Sequence, residues 1–296
     1  MKRSLPRFVS LILVLAMVMV MGVTGLSSLA QAAPQPVTLN VAYMPNYAAL
    51  WAVVTGVNKG YFEEQGITVN LYEFADGPTE IAAMESGAID VAYIGPGAHR
   101  LSSTGNASIF LLQHFGNADS VIGLASHGVN SLEDLKGKKV AYSSGTSSET
   151  ILNLALDSVG LTFNDITAFD MDTSNMVMAM LSGSVDACAT WSPNSMRILD
   201  ELDGDGTLFV SNIDFIDIAV SPASWVSTPQ YAEKNADVLV RFIAALYKSM
   251  DYASQESNFS EVAAWVAEQT ATSFDSAYAQ RGDGAWTGGQ EIIEMA

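Results

Sequence analysis

The chain repeats one pattern of sixteen residues, DGPTEIAAMESGAIDV at 76–91 and DTSNMVMAMLSGSVDA at 172–187. Six of the sixteen positions are identical without a gap. Each copy begins with an Asp suited to cap a helix and continues with an apolar helical stretch. Each then passes through Ser-Gly, typical of a helix end, into a β-branched segment with a single Asp. We therefore interpret the repeat as a helix followed by a strand, present twice.

Similar elements precede each copy of the repeat. TLNVAY at 38–43 and KKVAY at 138–142 predict short strands, and each is followed by a helical stretch and a second strand. The order strand, helix, strand, helix, strand therefore occurs twice, and such alternation indicates parallel sheets flanked by helices. The predicted fold class is α/β, with two lobes that each contain a mainly parallel sheet.

Four loops follow the predicted strands, after Tyr43, Tyr93, Tyr142 and Ala189. Because ligands lie beyond the carboxyl ends of strands in open parallel sheets, we expect these loops to converge on a cleft between the lobes. They are rich in Gly, Pro, Ser, Asn and aromatic residues, and they carry no catalytic constellation. They predict a binding surface, in which the pliant Gly95–Gly97 loop brings its backbone close to another group.

The amino-terminal segment predicts export. A basic start, MKRSLPRF, leads into an apolar run from Phe8 to Val23 and then into small residues, SLAQAAP. This is typical of a secretory signal peptide cleaved near Ala32 or Ala33, and the alternative is an uncleaved anchor helix. The segment directly after the apolar run contains no cysteine, so the site to which a lipoprotein anchor would be attached is missing. We assign residues 1–33 to the signal and expect a periplasmic or otherwise extracytoplasmic protein.

Composition narrows the classes of partner. The chain has 296 residues and a net charge of −19, which disfavours nucleic acids and anionic membrane surfaces. Its one cysteine, Cys188, cannot form an internal disulfide and lies in an apolar stretch, which predicts a buried structural thiol. The three histidines, His99, His114 and His127, lack the spacing of a metal site, so we expect neither a metal nor another cofactor.

Three segments resemble the periplasmic solute-binding proteins for nitrate, sulfonates, taurine and thiamine precursors. They are AYMPNYAALWAVVTGVNKGYFEEQGITVNLYEF from Ala42, SGAIDVAYIGPGAH from Ser86 and SLEDLKGKKVAYSSGTSSE from Ser131. The resemblance covers almost the whole chain after the signal. It implies the type II periplasmic binding protein fold, with a ligand cleft between two lobes, and delivery of a small-molecule solute to the permease of an ABC importer in the membrane. We expect a monomer.

In that pattern the chain crosses between the lobes twice. We predict that lobe I comprises residues 34–118 and 222–296 and that lobe II comprises residues 119–221. The helical stretch YAEKNADVLVRFIAALYKSM, from Tyr231, is expected to pack on lobe I.

The candidate ligand-binding residues lie in or near the predicted cleft loops. They are Asn46, Tyr47, Gly97, Ala98, His99, Thr146, Ser147, Ser148, Glu149, Trp191, Asn194 and Asp217. Thr146 to Ser148 offer hydroxyls and amide donors at a helix start, which is typical of an anion site. Trp191 is suited to enclose an apolar or cationic part of a ligand, and Asp217 to meet an ammonium group. Glu149 has two interpretations, a helix-capping residue or a contact for a ligand amine.

The leading hypothesis is a binding protein that captures a small organic anion or zwitterion, such as a sulfonate, an aminosulfonate or an amino-acid-like compound, by closure of the lobes. The alternative ligand is a thiamine-type pyrimidine precursor, on which Tyr47 and Trp191 would stack. A ligand-sensing subunit of a membrane receptor fits the same sequence. An enzyme like the pyrimidine synthases of this family is disfavoured, since those are intracellular and use His and Lys chemistry with a pyridoxal cofactor.

Overall fold

Two sheets form the framework of residues 35–295, the part of the chain that the computed structural model describes. The predicted signal peptide, residues 1–33, lies outside these residues. The strands are β1 (Val37–Tyr43), β2 (Ile67–Glu73), β3 (Val91–Ile94), β4 (Ser108–Gly116), β5 (Asp119–Leu124), β6 (Lys139–Tyr142), β7 (Thr167–Asp170), β8 (Ala187–Trp191), β9 (Gly206–Ser211), β10 (Pro222–Ser227) and β11 (Gly284–Ala285). The helices are α1 (Tyr47–Asn58), α2 (Tyr61–Glu64), α3 (Gly77–Glu85), α4 (His99–Ser103), α5 (Ser147–Ser158), α6 (Thr173–Leu181), α7 (Asn194–Glu201), α8 (Pro229–Lys234), α9 (Ala236–Ala253), α10 (Phe259–Thr270), α11 (Phe274–Ala279) and α12 (Gly289–Met295).

The first sheet has the strand order β11-β4-β10-β3-β1-β2 and the second has the order β7-β6-β8-β5-β9. In each sheet three strands are parallel, namely β2, β1 and β3 in the first and β7, β6 and β8 in the second. The remaining pairings are antiparallel. The predicted α/β fold is confirmed, but the sheets are mixed rather than mainly parallel. The reason is that β10, returning from the second sheet, inserts antiparallel between β3 and β4, and that β5, entering from the first sheet, inserts antiparallel between β8 and β9.

The chain passes from the first sheet to the second through Asn117 and Ala118, and it returns through residues 212–221. The two connections contact each other, because the backbone N–H of Ile213 donates to Oδ1 of Asn117 at 2.9 Å. The two sheets are therefore joined by two adjacent segments.

The repeated sequence forms the same structure in both sheets. Asp76 and Asp172 cap α3 and α6, and each accepts a backbone N–H three residues further on, at 2.8 and 2.9 Å. Asp90 and Asp186, before β3 and β8, each accept a backbone N–H from the first parallel strand of their own sheet, at 2.8 Å. The helix–strand interpretation of the repeat is confirmed.

Apolar side chains cover both faces of each sheet. In the first sheet, Val41 faces the cluster formed with α1, α9 and α10, whereas its neighbour Ala42 faces the cluster formed with α3. Because the strands β1, β2 and β3 are parallel, as are β6, β7 and β8, the loops after them lie at one edge of each sheet. Among the described residues, none of the helices is long and apolar enough to cross a membrane.

Candidate functional site

A cavity lies where the carboxyl ends of β1 and β3 meet the end of β8 and the start of α5. Its empty volume, which includes the open solvent at its mouth, is about 580 Å³. Five of the residues predicted from sequence line it: Asn46, Ala98, Thr146, Ser147 and Trp191. They come from both sheets, so the structure brings together loops that lie far apart in the chain.

Asn46 and Trp191 also line a neighbouring groove, which includes Asn194. Oδ1 of Asn46 accepts the backbone N–H of Ala49 at 2.8 Å and so caps α1. The indole of Trp191 is buried and ends β8. Asn194 therefore lies next to the central cavity rather than in its lining.

Two predicted residues have other surroundings. Tyr47 is the first residue of α1 rather than a loop residue, and its buried ring lies 5.2 Å from the ring of Trp286. Asp217 is exposed in the return connection, outside both lining sets. Hydrophobic burial decides the position of Tyr47, since α1 is buried along most of its length.

The Gly95–Gly97 loop approaches the other sheet. A Cβ atom on Gly97 would lie 2.0–2.4 Å from backbone atoms of Thr146 and Ser147. Only glycine, which has no Cβ atom, fits at this position. The Gly95–Gly97 loop therefore packs directly against the backbone at the start of α5. Gly97 thus serves the contact between the two sheets, while the adjacent Ala98 lines the cavity and His99 begins α4 behind it.

The hydroxyls predicted to hold an anion are bonded within the protein. Thr146 Oγ1 donates to the carbonyl of Ser143 at 2.8 Å and accepts the N–H of Ser148. Ser148 Oγ donates to the carbonyl of Ala189 at 2.7 Å and accepts the N–H of Ser143. Ser147 Oγ donates to a carboxylate oxygen of Asp119. The positive end of α5 therefore faces a carboxylate that belongs to the protein.

Glu149 turns back towards the same loop. Its Oε2 accepts the backbone N–H of Gly145, one residue before the helix cap, at 2.7 Å. This contact matches the structural alternative for Glu149, with the difference that the N–H of Gly145 replaces that of the cap residue Thr146 in the predicted capping box.

Asp119 is a lining residue that sequence reasoning missed. It begins β5, lies opposite Trp191 in the strand register, and is 5% exposed. Asn212 donates to its second oxygen at 2.9 Å. Burial raises the pKa of the Asp119 carboxyl, and the hydrogen bonds from Ser147 and Asn212 oppose that shift. An acid at the start of an otherwise apolar strand, at the predicted crossing, is the signal that could have identified it.

Asp283 is the second missed carboxyl, and it enters the cavity from the segment after α11. Burial raises its pKa to about 7, the hydrogen bond from Ser192 lowers it, and the nearby charge of Asp119 raises it. Asp283 is therefore poised to change its charge near neutral pH. No local sequence pattern indicates that a residue so close to the carboxyl end reaches this cavity.

Tyr93 and His114 complete the missed set, and both line the cavity. The Tyr93 hydroxyl lies 3.5 Å from Nε2 of His114. Burial lowers the pKa of His114 to about 3, so its imidazole is neutral at physiological pH, and burial raises the pKa of Tyr93. Within residues 35–295, no Lys or Arg lines the cavity, whereas Asp76, Asp119 and Asp283 do. The lining is acidic and aromatic.

Comparison with known proteins places this geometry in a family. The model of the NMT1/THI5-like family matches residues 48–258. A Brucella abortus protein that carries the name of a binding protein is 32% identical over 234 residues, which are 79% of this chain and 72% of the relative. The taurine-binding periplasmic protein of Escherichia coli is 24% identical over 74% of this chain and 68% of its own length. A Haemophilus influenzae protein named for thiamine biosynthesis is 32% identical over 48% of this chain and 45% of its own length.

A solved structure has the same fold. The alkanesulfonate-binding protein SsuA of Xanthomonas axonopodis pv. citri superposes with a TM-score of 0.67 at 20% identity, covering 86% of this chain and 87% of that one. With its two sheets, its cavity between them and a family match over most of its length, the chain belongs to the NMT1/THI5-like family and has the periplasmic binding protein fold.

Proposed function

We propose that the protein is the extracytoplasmic solute-binding component of an ABC importer, that it acts as a monomer, and that it delivers its ligand to a membrane permease. The observation that carries this proposal is the cavity lined from both sheets. In this proposal residues 34–118 with 222–296 and residues 119–221 are lobes that close around the solute. A ligand that contacts both lobes only in the closed state shifts the population towards that state.

The ligand is a small organic solute with an apolar or aromatic part and at least one nitrogen that donates hydrogen bonds. Tyr93 and Trp191 supply aromatic surface, and Asp119 and Asp283 supply acceptors. An amino-acid-like or aminosulfonate zwitterion meets this requirement with its ammonium group, and a thiamine-type pyrimidine meets it with its amino group. A plain sulfonate or nitrate has no such donor, and the hydroxyls at the start of α5 are already bonded within the protein. Among the ligands of the leading hypothesis, a solute with only negative charge, such as a plain sulfonate, is therefore the least supported.

The lining favours binding over catalysis. In the described part of the chain, the cavity lining includes no Lys and no Cys to act as a nucleophile. His114 is buried and neutral, and a pKa of about 3 makes it a weak base. The pyrimidine synthase alternative depends on His and Lys chemistry, so these residues do not support it.

Thermal unfolding against a solute panel tests the proposal. The protein is unfolded and refolded to strip any bound compound, then heated with taurine, ethanesulfonate, amino acids, nitrate or 4-amino-5-hydroxymethyl-2-methylpyrimidine. A ligand at about one hundred times its Kd adds ~2.7 kcal/mol, which raises the Tm of a chain of this size by several degrees. If the refolded protein melts cooperatively and every solute leaves its Tm unchanged, the proposal fails.

A further inference from the structure

We infer that Asp283 is the residue that selects the charge of the ligand, and that it forms with Asp119 a subsite for a positively charged nitrogen. This inference rests on the proposed function, because it assumes that the cavity is the solute site. It goes further by assigning the charge of the solute and the residue that recognises it.

The position of Asp119 gives the first argument. Its two oxygens are held by Ser147 and Asn212, so the carboxylate is fixed in place and hardly exposed. The donors that would otherwise attract an anionic ligand to the start of α5 include the Ser147 hydroxyl, which this carboxylate occupies. A solute anion placed there would meet the charge of Asp119 in a poorly solvated cavity, where repulsion is strong.

The position of Asp283 gives the second argument. Its segment is held by its neighbours on both sides. After Asp283, β11 (Gly284–Ala285) pairs antiparallel with β4. The indole N–H of Trp286 also donates to the carbonyl of Arg281, two residues before Asp283, at 2.6 Å. The ring of Trp286 also lies 5.0 Å from His114. Asp283 is thus presented to the cavity by packed neighbours.

The rest of the lining supplies nothing that would neutralise this pair. His114 is uncharged, and no Lys or Arg from residues 35–295 lines the cavity. A ligand nitrogen with a positive charge supplies the missing partner, and the aromatic side chains of Tyr93 and Trp191 line the same cavity.

The test uses three compounds of nearly equal shape and different charge: benzamidine, benzamide and benzoate. Calorimetric titration of the refolded protein is expected to give the order benzamidine, then benzamide, then benzoate, from tightest to weakest. Asp283→Asn should weaken benzamidine binding by at least about tenfold, the loss of one charge-assisted hydrogen bond, and should change benzamide binding by less than about twofold. Asp119→Asn should also weaken benzamidine binding.

Asp157→Asn is the matched control, since it removes the same charge from an exposed position further along α5. Unfolding of each variant without ligand verifies that it folds. The inference is overturned if benzamidine does not bind, if benzoate binds as tightly as benzamidine, or if Asp283→Asn and Asp157→Asn behave alike. The solute panel separates this failure from that of the proposed function, because a solute that still raises the Tm leaves the binding role intact.

Discussion

Glu80 is a fully buried carboxyl on α3, and its two oxygens have no hydrogen-bond partner among the described residues. Burial raises its pKa well above the usual value, and the charge of Asp76 raises it further. A carboxyl whose pKa is higher in the folded state than in the unfolded state favours folding less as pH rises between those two values. Glu80 is therefore a local source of instability at high pH.

Replacing Glu80 with Gln should raise the Tm at pH 8, and the gain should shrink towards pH 5, because Gln is neutral at both. Thermal unfolding of both proteins at the two pH values measures this difference. Glu63→Gln, at an exposed position on α2, is the control and should leave the pH dependence unchanged. Equal pH dependence in wild type and Glu80→Gln would contradict this account.

At the scale of elements, the contact between the Gly95–Gly97 loop and the start of α5 holds the two sheets together beside the cavity. The atoms that approach Gly97 belong to the backbone of Thr146 and Ser147, so they cannot rotate away as a side chain would. We predict that closure of the proposed lobes depends on this contact.

Gly97→Ala should push the two loops apart and weaken solute binding by about tenfold, roughly 1.4 kcal/mol. Gly282→Ala is the control, because a Cβ atom at Gly282 meets nothing within 4 Å and Gly282 lies outside the cavity lining. Titration with the solute that gives the largest rise in Tm measures the affinities, and small-angle scattering measures the opening. If both variants bind like wild type, the loop contact has no part in closure.

The two connections between the sheets, Asn117–Ala118 and residues 212–221, determine which strands enter each sheet from the other. Each leads into a strand that inserts antiparallel between two strands of the sheet it joins: β5 between β8 and β9, and β10 between β3 and β4. The alternation of predicted helices and strands gave the parallel part correctly. It could not predict that β5 and β10 insert antiparallel, because the strands on either side of each come from distant parts of the chain.

For the whole molecule, the charge of the cavity should depend on pH. Asp283, with a pKa of about 7, shares the cavity lining with Asp76, Asp119, Tyr93 and the neutral His114. A cationic ligand binds the ionised form of Asp283. Its affinity should therefore fall as the pH is lowered and a larger fraction of Asp283 is protonated in the ligand-free protein. For a site with this pKa, the affinity for benzamidine should be roughly tenfold lower at pH 6 than at pH 8.

Benzamidine suits this measurement because it stays charged across the range. Titrations at pH 6, 7 and 8 should show a much smaller pH dependence in Asp283→Asn than in wild type. A fall in affinity that persists in the variant would assign the effect to another group, with Asp119 the first to examine, since its pKa is also raised by burial.

Five of the twenty residues that line the cavity could be predicted from the sequence. Asn46, Ala98, Thr146, Ser147 and Trp191 line the cavity because they follow strands whose order the sequence pattern indicates. The role of the Thr146–Ser148 hydroxyls could not be predicted, because their partners lie on β5, on β8 and in the preceding loop. A hydrogen-bond donor has the same chemistry in the sequence whether or not the fold supplies its acceptor.

The sequence by itself determined the repeated helix and strand, the helix caps at Asp76 and Asp172 and the α/β class, because periodicity and capping act over a few neighbouring residues. The tertiary structure alone decided the charge of the cavity. Asp119 and Asp283 come from distant parts of the chain; burial raises the pKa of both carboxyls, and the nearby charge of Asp119 raises the pKa of Asp283 further. Desolvation and charge repulsion depend on distances in space, which the order of residues does not state.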